Sequence, residues 1–155
     1  TVTLIREVLA SCSIRPAVHQ VEMHPYLTQQ KLLRYCKQEQ IAVTAFSPIG
    51  ASSYVPLGMA EEKDNVLADP IITTIANESA RTAGQVLLRW AFQRGTGPIP
   101  KTERVERLKE NIGIFDFSLT DDQMKQIDGL DRHQRFNDPA IFGEAAFNTF
   151  FPIFD

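Results

Sequence analysis

The sequence predicts an α/β chain built from parallel βα units, and three observations carry that prediction. Apolar runs at residues 17–22, 41–46 and 97–99 have the length and composition of strands. Between them, apolar residues recur at three- and four-residue spacing, as on one face of a helix. Helix-start signals stand where that periodicity begins, so strands and helices alternate.

Residues 1–11 place Leu4, Ile5, Val8 and Leu9 on one face of a helix, with Thr1 at or just past its start. The strand at 17–22 is stopped by His24-Pro25. Thr28 is the expected N-cap of a helix over 29–38, with Leu32, Leu33 and Cys36 facing the core. The run at 41–46 is almost wholly apolar, which predicts a strand buried on both faces. Residues 47–69 form a looser stretch, longer than an ordinary connection, of the kind that is functional or mobile. Helices follow at 70–78 and 83–94, the second opened by a Thr82–Gln85 capping box that directs Trp90 to the core. The strand at 97–99 leads into a further helix, and a Thr120–Gln123 capping box opens another to about residue 130. A closed barrel takes about 250 residues. Three strands cannot close one, so the pattern describes either a small open α/β domain or part of something larger.

Composition narrows the function classes. The chain has 155 residues, 43% hydrophobic and 23% charged, with a net charge of −3 and both signs interleaved. A nucleic-acid surface would show a clustered basic excess, so no nucleic-acid partner is expected. No apolar run approaches the roughly 18 residues a membrane helix needs, and the start lacks a charged-then-apolar signal pattern. Cys12 and Cys36 have no metal-ligand spacing. These features predict a cytoplasmic protein with free thiols, no membrane and no bound metal.

The segment 97–111 carries the strongest chemical signal. A short strand ends in Pro100-Lys101-Thr102 and a helix opens at once with further cations. Lys101 and Arg107 can converge on one anion, aided by the amides and positive dipole end of the helix start. Arg107, Glu110 and Asn111 are spaced to share a helical face. Together they can read an adenosine ribose and its 2′-phosphate. A solvated helix start is the bland alternative. On the first strand, Gln20 and Glu22 alternate with His19, and Glu22 and His24 fit structural hydrogen-bonding roles better than catalytic ones. Six of the ten phenylalanines lie at or beyond Phe136: Phe136, Phe142, Phe147, Phe150, Phe151 and Phe154. They suit either a tail covering apolar surface or the wall of a substrate pocket.

At 20–26 (QVEMHPY), 45–50 (AFSPIG), 99–102 (IPKT) and 107–111 (RLKEN) the chain resembles the aldo-keto reductase family, in order and in spacing. Arg135-Phe136-Asn137-Asp138-Pro139 is most similar to its aldose and xylose reductase branch. The resemblance implies the C-terminal portion of a (β/α)8 TIM barrel, residues 1–132, followed by a C-terminal substrate-loop or tail region, residues 133–155. It implies hydride transfer from NADPH to an aldehyde or ketone, with a tyrosine as acid. Gln20 would hold the nicotinamide carboxamide, and Phe46 would stack under its ring where the family usually has tyrosine. Ser47, Pro48, Ile49 and Ser52 fall in the loop along the pyrophosphate. Ile99 precedes the 2′-phosphate positions Lys101, Thr102 and Arg107, and Glu110 and Asn111 match the adenine contacts. Asn137 matches a substrate-binding asparagine.

Two departures change what is expected. Glu103 follows Lys101-Thr102 with a carboxylate that accepts from ribose hydroxyls and repels a 2′-phosphate, so NADH stands beside NADPH as a cofactor. The family's catalytic Asp, Tyr, Lys and His lie on earlier strands, so the resemblance implies no catalytic residue in this chain. Tyr26, Tyr35 and Tyr54 do not match the acid's surroundings. The expected function is thus part of an NAD(P)H-dependent aldose- or xylose-type reductase, the chain alone being inactive. The alternative is a non-catalytic half-barrel that binds nucleotide or self-associates through exposed sheet edges. An aldolase or isomerase barrel ranks last, since no Schiff-base lysine or metal set is evident.

Overall fold

The computed structural model of the chain describes residues 1–50, 54–149 and 154, with backbone alone for Ile141, Phe142 and Ala145. Helix α1 (Val2–Ser11), strand β1 (Val18–Glu22), helix α2 (Gln30–Gln38) and strand β2 (Ala42–Phe46) come first. Helices α3 (Pro70–Glu78) and α4 (Ala83–Gln93), strand β3 (Thr96–Ile99) and helices α5 (Val105–Ile112), α6 (Asp121–Asp128) and α7 (Pro139–Phe147) follow. Among the described residues the strands form one parallel sheet in the order β1-β2-β3. Glu22 pairs with Phe46 and Phe46 with Ile99, so all three strands end level. Parallel strands joined through helices are the βα units of a (β/α)8 barrel, and this chain holds part of one.

Helices cover one face of the sheet only. Val21, Val43 and Ala45 are buried against them, while Val18, Gln20, Ala42 and Ile99 on the opposite face are exposed. This corrects the expectation that β2 is buried on both faces. Thr44 and Phe46 face the same side as Gln20 and are half-buried. In a barrel that side is the interior, so an apolar run in sequence does not distinguish helix-covered from barrel-facing positions.

The main core joins Ala45 of the sheet to Ile72, Ile75, Val86, Leu87 and Trp90 from α3 and α4. The Trp90 indole is fully buried and donates through Nε1 to Asp128 Oδ1 at 2.9 Å. A smaller cluster sets Ile5, Leu32 and Cys36 against Val21 and Val43. Both expected capping boxes form.

Three local expectations fail for identifiable reasons. Leu4 and Val8 are exposed, because α1 turns Ile5 inward with Val2 and Leu9 alongside. Thr28 does not cap α2: its hydroxyl donates to Asp131 Oδ2, and Gln29 takes the N-cap position at φ 56°. The described part of the stretch after β2, from residue 54 to 69, is packed rather than loose. It contains short 3₁₀ turns at Val55–Leu57, Glu62–Asp64 and Val66–Ala68, and Val66 is fully buried in the main core.

Candidate functional site

Apart from Glu110 and Asn111 on α5, the expected site residues among the described residues lie at the end of the sheet where the strands finish, or along its exposed face. The chain leaves β2 through a turn in which Ser47 C=O accepts from Gly50 N–H at 2.9 Å. Ser47 adopts φ 51° and Gly50 φ 76°. A Cβ on Gly50 would lie 2.6 Å from Val66 Cγ1, so only glycine lets the turn close against the core.

A cavity of about 370 Å³ opens beside this turn, lined by Ser47, Pro48, Ile49, Ile99, Lys101, Thr102 and Arg107. Residues from the end of β2 and the end of β3 therefore converge, as the sequence pattern requires. Glu103 and Arg104 complete the rim, the first as an anion beside the cations. Lys101 Nζ pairs with Glu103 Oε1 at 2.5 Å, with both side chains more than 80% exposed. That hydrogen bond and charge hold the Glu103 carboxyl below its ordinary range. Thr102 Oγ1 accepts from Arg104 N–H at 3.1 Å, and no described side chain caps the first turn of α5. Its amides stay available to an anion. Glu110 and Asn111 lie a turn further along α5, outside the described lining. The Glu110 carbonyl accepts from Gln85 Nε2 at 3.1 Å. Ser52 lies outside the described residues.

A second cavity, of about 540 Å³, spreads over the exposed face of β1 and gathers Gln20, Phe46 and Asn137 with Leu32, Arg135 and Phe154. Asn137 reaches it because the segment 131–137 is fastened along the residues that follow β1. Asp131 accepts from Thr28, and the Tyr26 carbonyl accepts from the amides of Arg132 and Gln134 at 3.2 and 2.9 Å. Glu22, fully buried, accepts from Phe136 N–H at 2.8 Å and Asn137 N–H at 3.1 Å. His24 Nε2 lies 3.0 Å from Glu22 Oε1, and Arg135 Nη1 lies 3.5 Å from Oε2. Burial alone would raise the Glu22 carboxyl, but the hydrogen bonds from His24, Phe136 and Asn137 outweigh it and hold it below its ordinary value. Glu22 and His24 are thus engaged in buried hydrogen bonds that fasten this segment.

The tail phenylalanines divide. Phe136 is buried, stacked 4.8 Å from His24, whereas Phe154 lies under the Arg135 guanidinium at 3.6 Å and lines the larger cavity. Phe147 is exposed on α7, and Phe150, Phe151 and the Phe142 side chain lie outside the described residues.

Sequence reasoning missed Tyr54. It is 8% exposed, its hydroxyl lies 2.6 Å from Ser47 Oγ, and it accepts from Asn137 Nδ2 at 3.3 Å. No local signal marks a contact between residues 83 positions apart. Tyr26 is also committed: it donates to Asp69 Oδ2 at 2.8 Å, and burial together with that carboxylate pushes its hydroxyl up to about 12. Among the described residues, no group of three or more His, Cys, Asp and Glu could hold a metal ion, and no helix is long and apolar enough to cross a membrane.

Residues 1–132 match the Aldo/keto reductase family. A protein named NAD(P)H-dependent pentose reductase from Pyricularia oryzae is 45% identical over 139 residues, covering 88% of this chain and 42% of its own length. One named NADPH-dependent D-xylose reductase from Candida boidinii is 45% identical over 142 residues, covering 90% and 44%. Aldo-keto reductase family 1 member A1 from Bos taurus is 40% identical over 137 residues, covering 88% and 42%. The chain therefore spans less than half the length of these curated relatives.

Proposed function

The chain belongs to the aldo/keto reductase family, and on that premise we propose that it supplies the cofactor side of an NAD(P)H-dependent reductase of aldose or xylose type. The observation that carries the proposal is the convergence of Lys101, Thr102 and Arg107 with the Ser47–Ile49 turn around one cavity. A phosphate fits this donor set. A lysine, a guanidinium and uncapped helix amides all favour a dianion, and the exposed Lys101–Glu103 pair can open to admit it. In this proposal Lys101, Thr102 and Arg107 hold the 2′-phosphate of NADPH. Ser47, Pro48, Ile49 and Ile99 wall the nucleotide, and Glu110 and Asn111 meet its adenine end. Gln20 and Phe46 orient the nicotinamide from the larger cavity, where Asn137 meets the carbonyl substrate. Bound NADPH would supply the hydride. Glu103 competes for Lys101 and keeps NADH usable.

The acid for the carbonyl oxygen is assigned to none of the three tyrosines. Tyr26 holds its proton toward Asp69, Tyr54 is engaged with Ser47, and Tyr35 lies on α2 away from both cavities. The 155 residues alone are then expected to bind cofactor without reducing an aldose. Thermal unfolding with excess NADPH or NADH tests the proposal, since a ligand of the native state raises the midpoint by mass action. NADPH should raise it more than NADH does. Equal midpoints with and without either nucleotide would refute the cofactor assignment.

A different observation supports a second proposal, self-association. Val105, Leu108 and Ile112 form an apolar stripe along α5, 60%, 54% and 73% exposed, beside β3, which pairs only with β2 among the described residues. Sedimentation over a range of concentrations should show dimerisation that Leu108→Lys abolishes. A concentration-independent monomer would eliminate it.

A further inference from the structure

Tyr54 lines neither of the two cavities, yet its hydroxyl touches a residue of each. Ser47 belongs to the cationic cavity and Asn137 to the larger one. We infer that Tyr54 is a positioning residue that sets the hydrogen-bond polarity of both, leaving a serine donor facing the anion and an amide acceptor facing the substrate. The inference rests on the cofactor and substrate assignments above and adds the direction of each bond.

The direction follows from counting hydrogens. The Asn137 amide nitrogen can only donate, so the Tyr54 oxygen accepts from it at 3.3 Å. Tyrosine has one hydroxyl hydrogen, and its remaining partner among the described residues is Ser47 Oγ at 2.6 Å, so in this inference that hydrogen goes to Ser47. Ser47 then accepts from Tyr54 and keeps its own hydrogen for the cationic cavity it lines. At the other end, the Asn137 nitrogen is engaged and its carbonyl oxygen has no partner among the described residues. Bonds in such a chain reinforce one another. The three-member chain therefore presents a donor where a phosphate oxygen would lie and an acceptor where a hydroxyl would lie.

The surroundings hold this arrangement. Tyr54 stacks near Phe136 at 6.1 Å, and the Asn137 backbone is fixed by Glu22 at 3.1 Å. With the backbone held, the amide still turns about its side-chain bonds, and the contact with Tyr54 at 3.3 Å holds its nitrogen end in place. An acceptor at Asn137 favours a polyhydroxy aldehyde, whose hydroxyls donate, over a simple aldehyde of the same size.

Two measurements on the 155-residue chain test the inference. In ligand-free, 15N-labelled protein, the Asn137 side-chain amide should exchange slowly with solvent, and Tyr54→Phe should remove that protection while the unfolding transition stays cooperative. Equal exchange in both proteins would overturn the proposed bond. The second measurement is a double-mutant cycle on NADPH affinity. An aspartate at 137 can only accept, so Asn137→Asp draws the Tyr54 hydrogen to itself and turns the Ser47 hydrogen toward Tyr54. NADPH binding should weaken about three- to tenfold beyond the effect of the same charge in the Tyr54→Phe background. No coupling would mean the chain runs the other way, which overturns the polarity. If wild-type protein binds no NADPH, the cofactor assignment falls, and the amide exchange still decides whether Tyr54 positions Asn137.

Discussion

At the end of β1, the segment 131–137 is fixed by hydrogen bonds to Thr28, Tyr26 and a fully buried Glu22. At the end of β3, Lys101 and Glu103 stand more than 80% exposed, and α5 starts without a described cap. The two regions flank the same candidate site and solve opposite problems. A carboxylate taken out of water must find partners, so Glu22 collects two backbone amides, His24 and Arg135. An exposed cation loses little by waiting in water, so Lys101 can exchange Glu103 for a ligand. Under the proposed assignment, the substrate side is preorganised by folding, and the cofactor side is left for its ligand to organise.

The largest expected effect comes from breaking the buried half. Glu22→Ala leaves two amides, His24 and Arg135 without their acceptor and should destabilise the chain by about 3–5 kcal/mol in urea unfolding. The pH dependence has a definite sign. Because folding lowers the Glu22 pKa, its contribution is full above the ordinary glutamate range and is lost as pH falls through the lower folded value. Glu22→Gln should flatten that part of the acid profile; an unchanged acid profile would mean Glu22 does not hold the segment.

Next comes the turn after β2, which walls the cationic cavity. Gly50→Ala meets both a positive φ and the Val66 side chain at 2.6 Å, so a loss of about 1–3 kcal/mol is expected. A neutral result would show that the turn relaxes freely.

The same contrast explains what could be read from the sequence. The cationic turn is local: Lys101, Thr102 and Arg107 fall within seven positions, and the geometry of a strand end and a helix start follows from them. The capping boxes at Thr82 and Thr120 were legible for the same reason. The grip of Glu22 on Phe136 and Asn137 spans 114 and 115 positions, and nothing near either end announces it. Thr28 looked like a cap and is bound instead to Asp131, 103 residues away. Helix α7 carries a local start signal, Asp138 accepting from Ala140 N–H with Pro139 in the first turn.

The smallest expected effect sharpens the open half. Glu103→Gln frees Lys101 and should tighten NADPH by about two- to fivefold, with less change for NADH. Equal gains for both nucleotides would detach Glu103 from the 2′-phosphate.

The most direct test of the cofactor proposal is a fluorescence titration of NADPH into wild-type chain and the Lys101→Met/Arg107→Met double variant. The proposal predicts that the double variant loses about tenfold or more in NADPH affinity and little in NADH affinity. Identical NADPH affinities would contradict it and leave the cationic turn a solvated helix start.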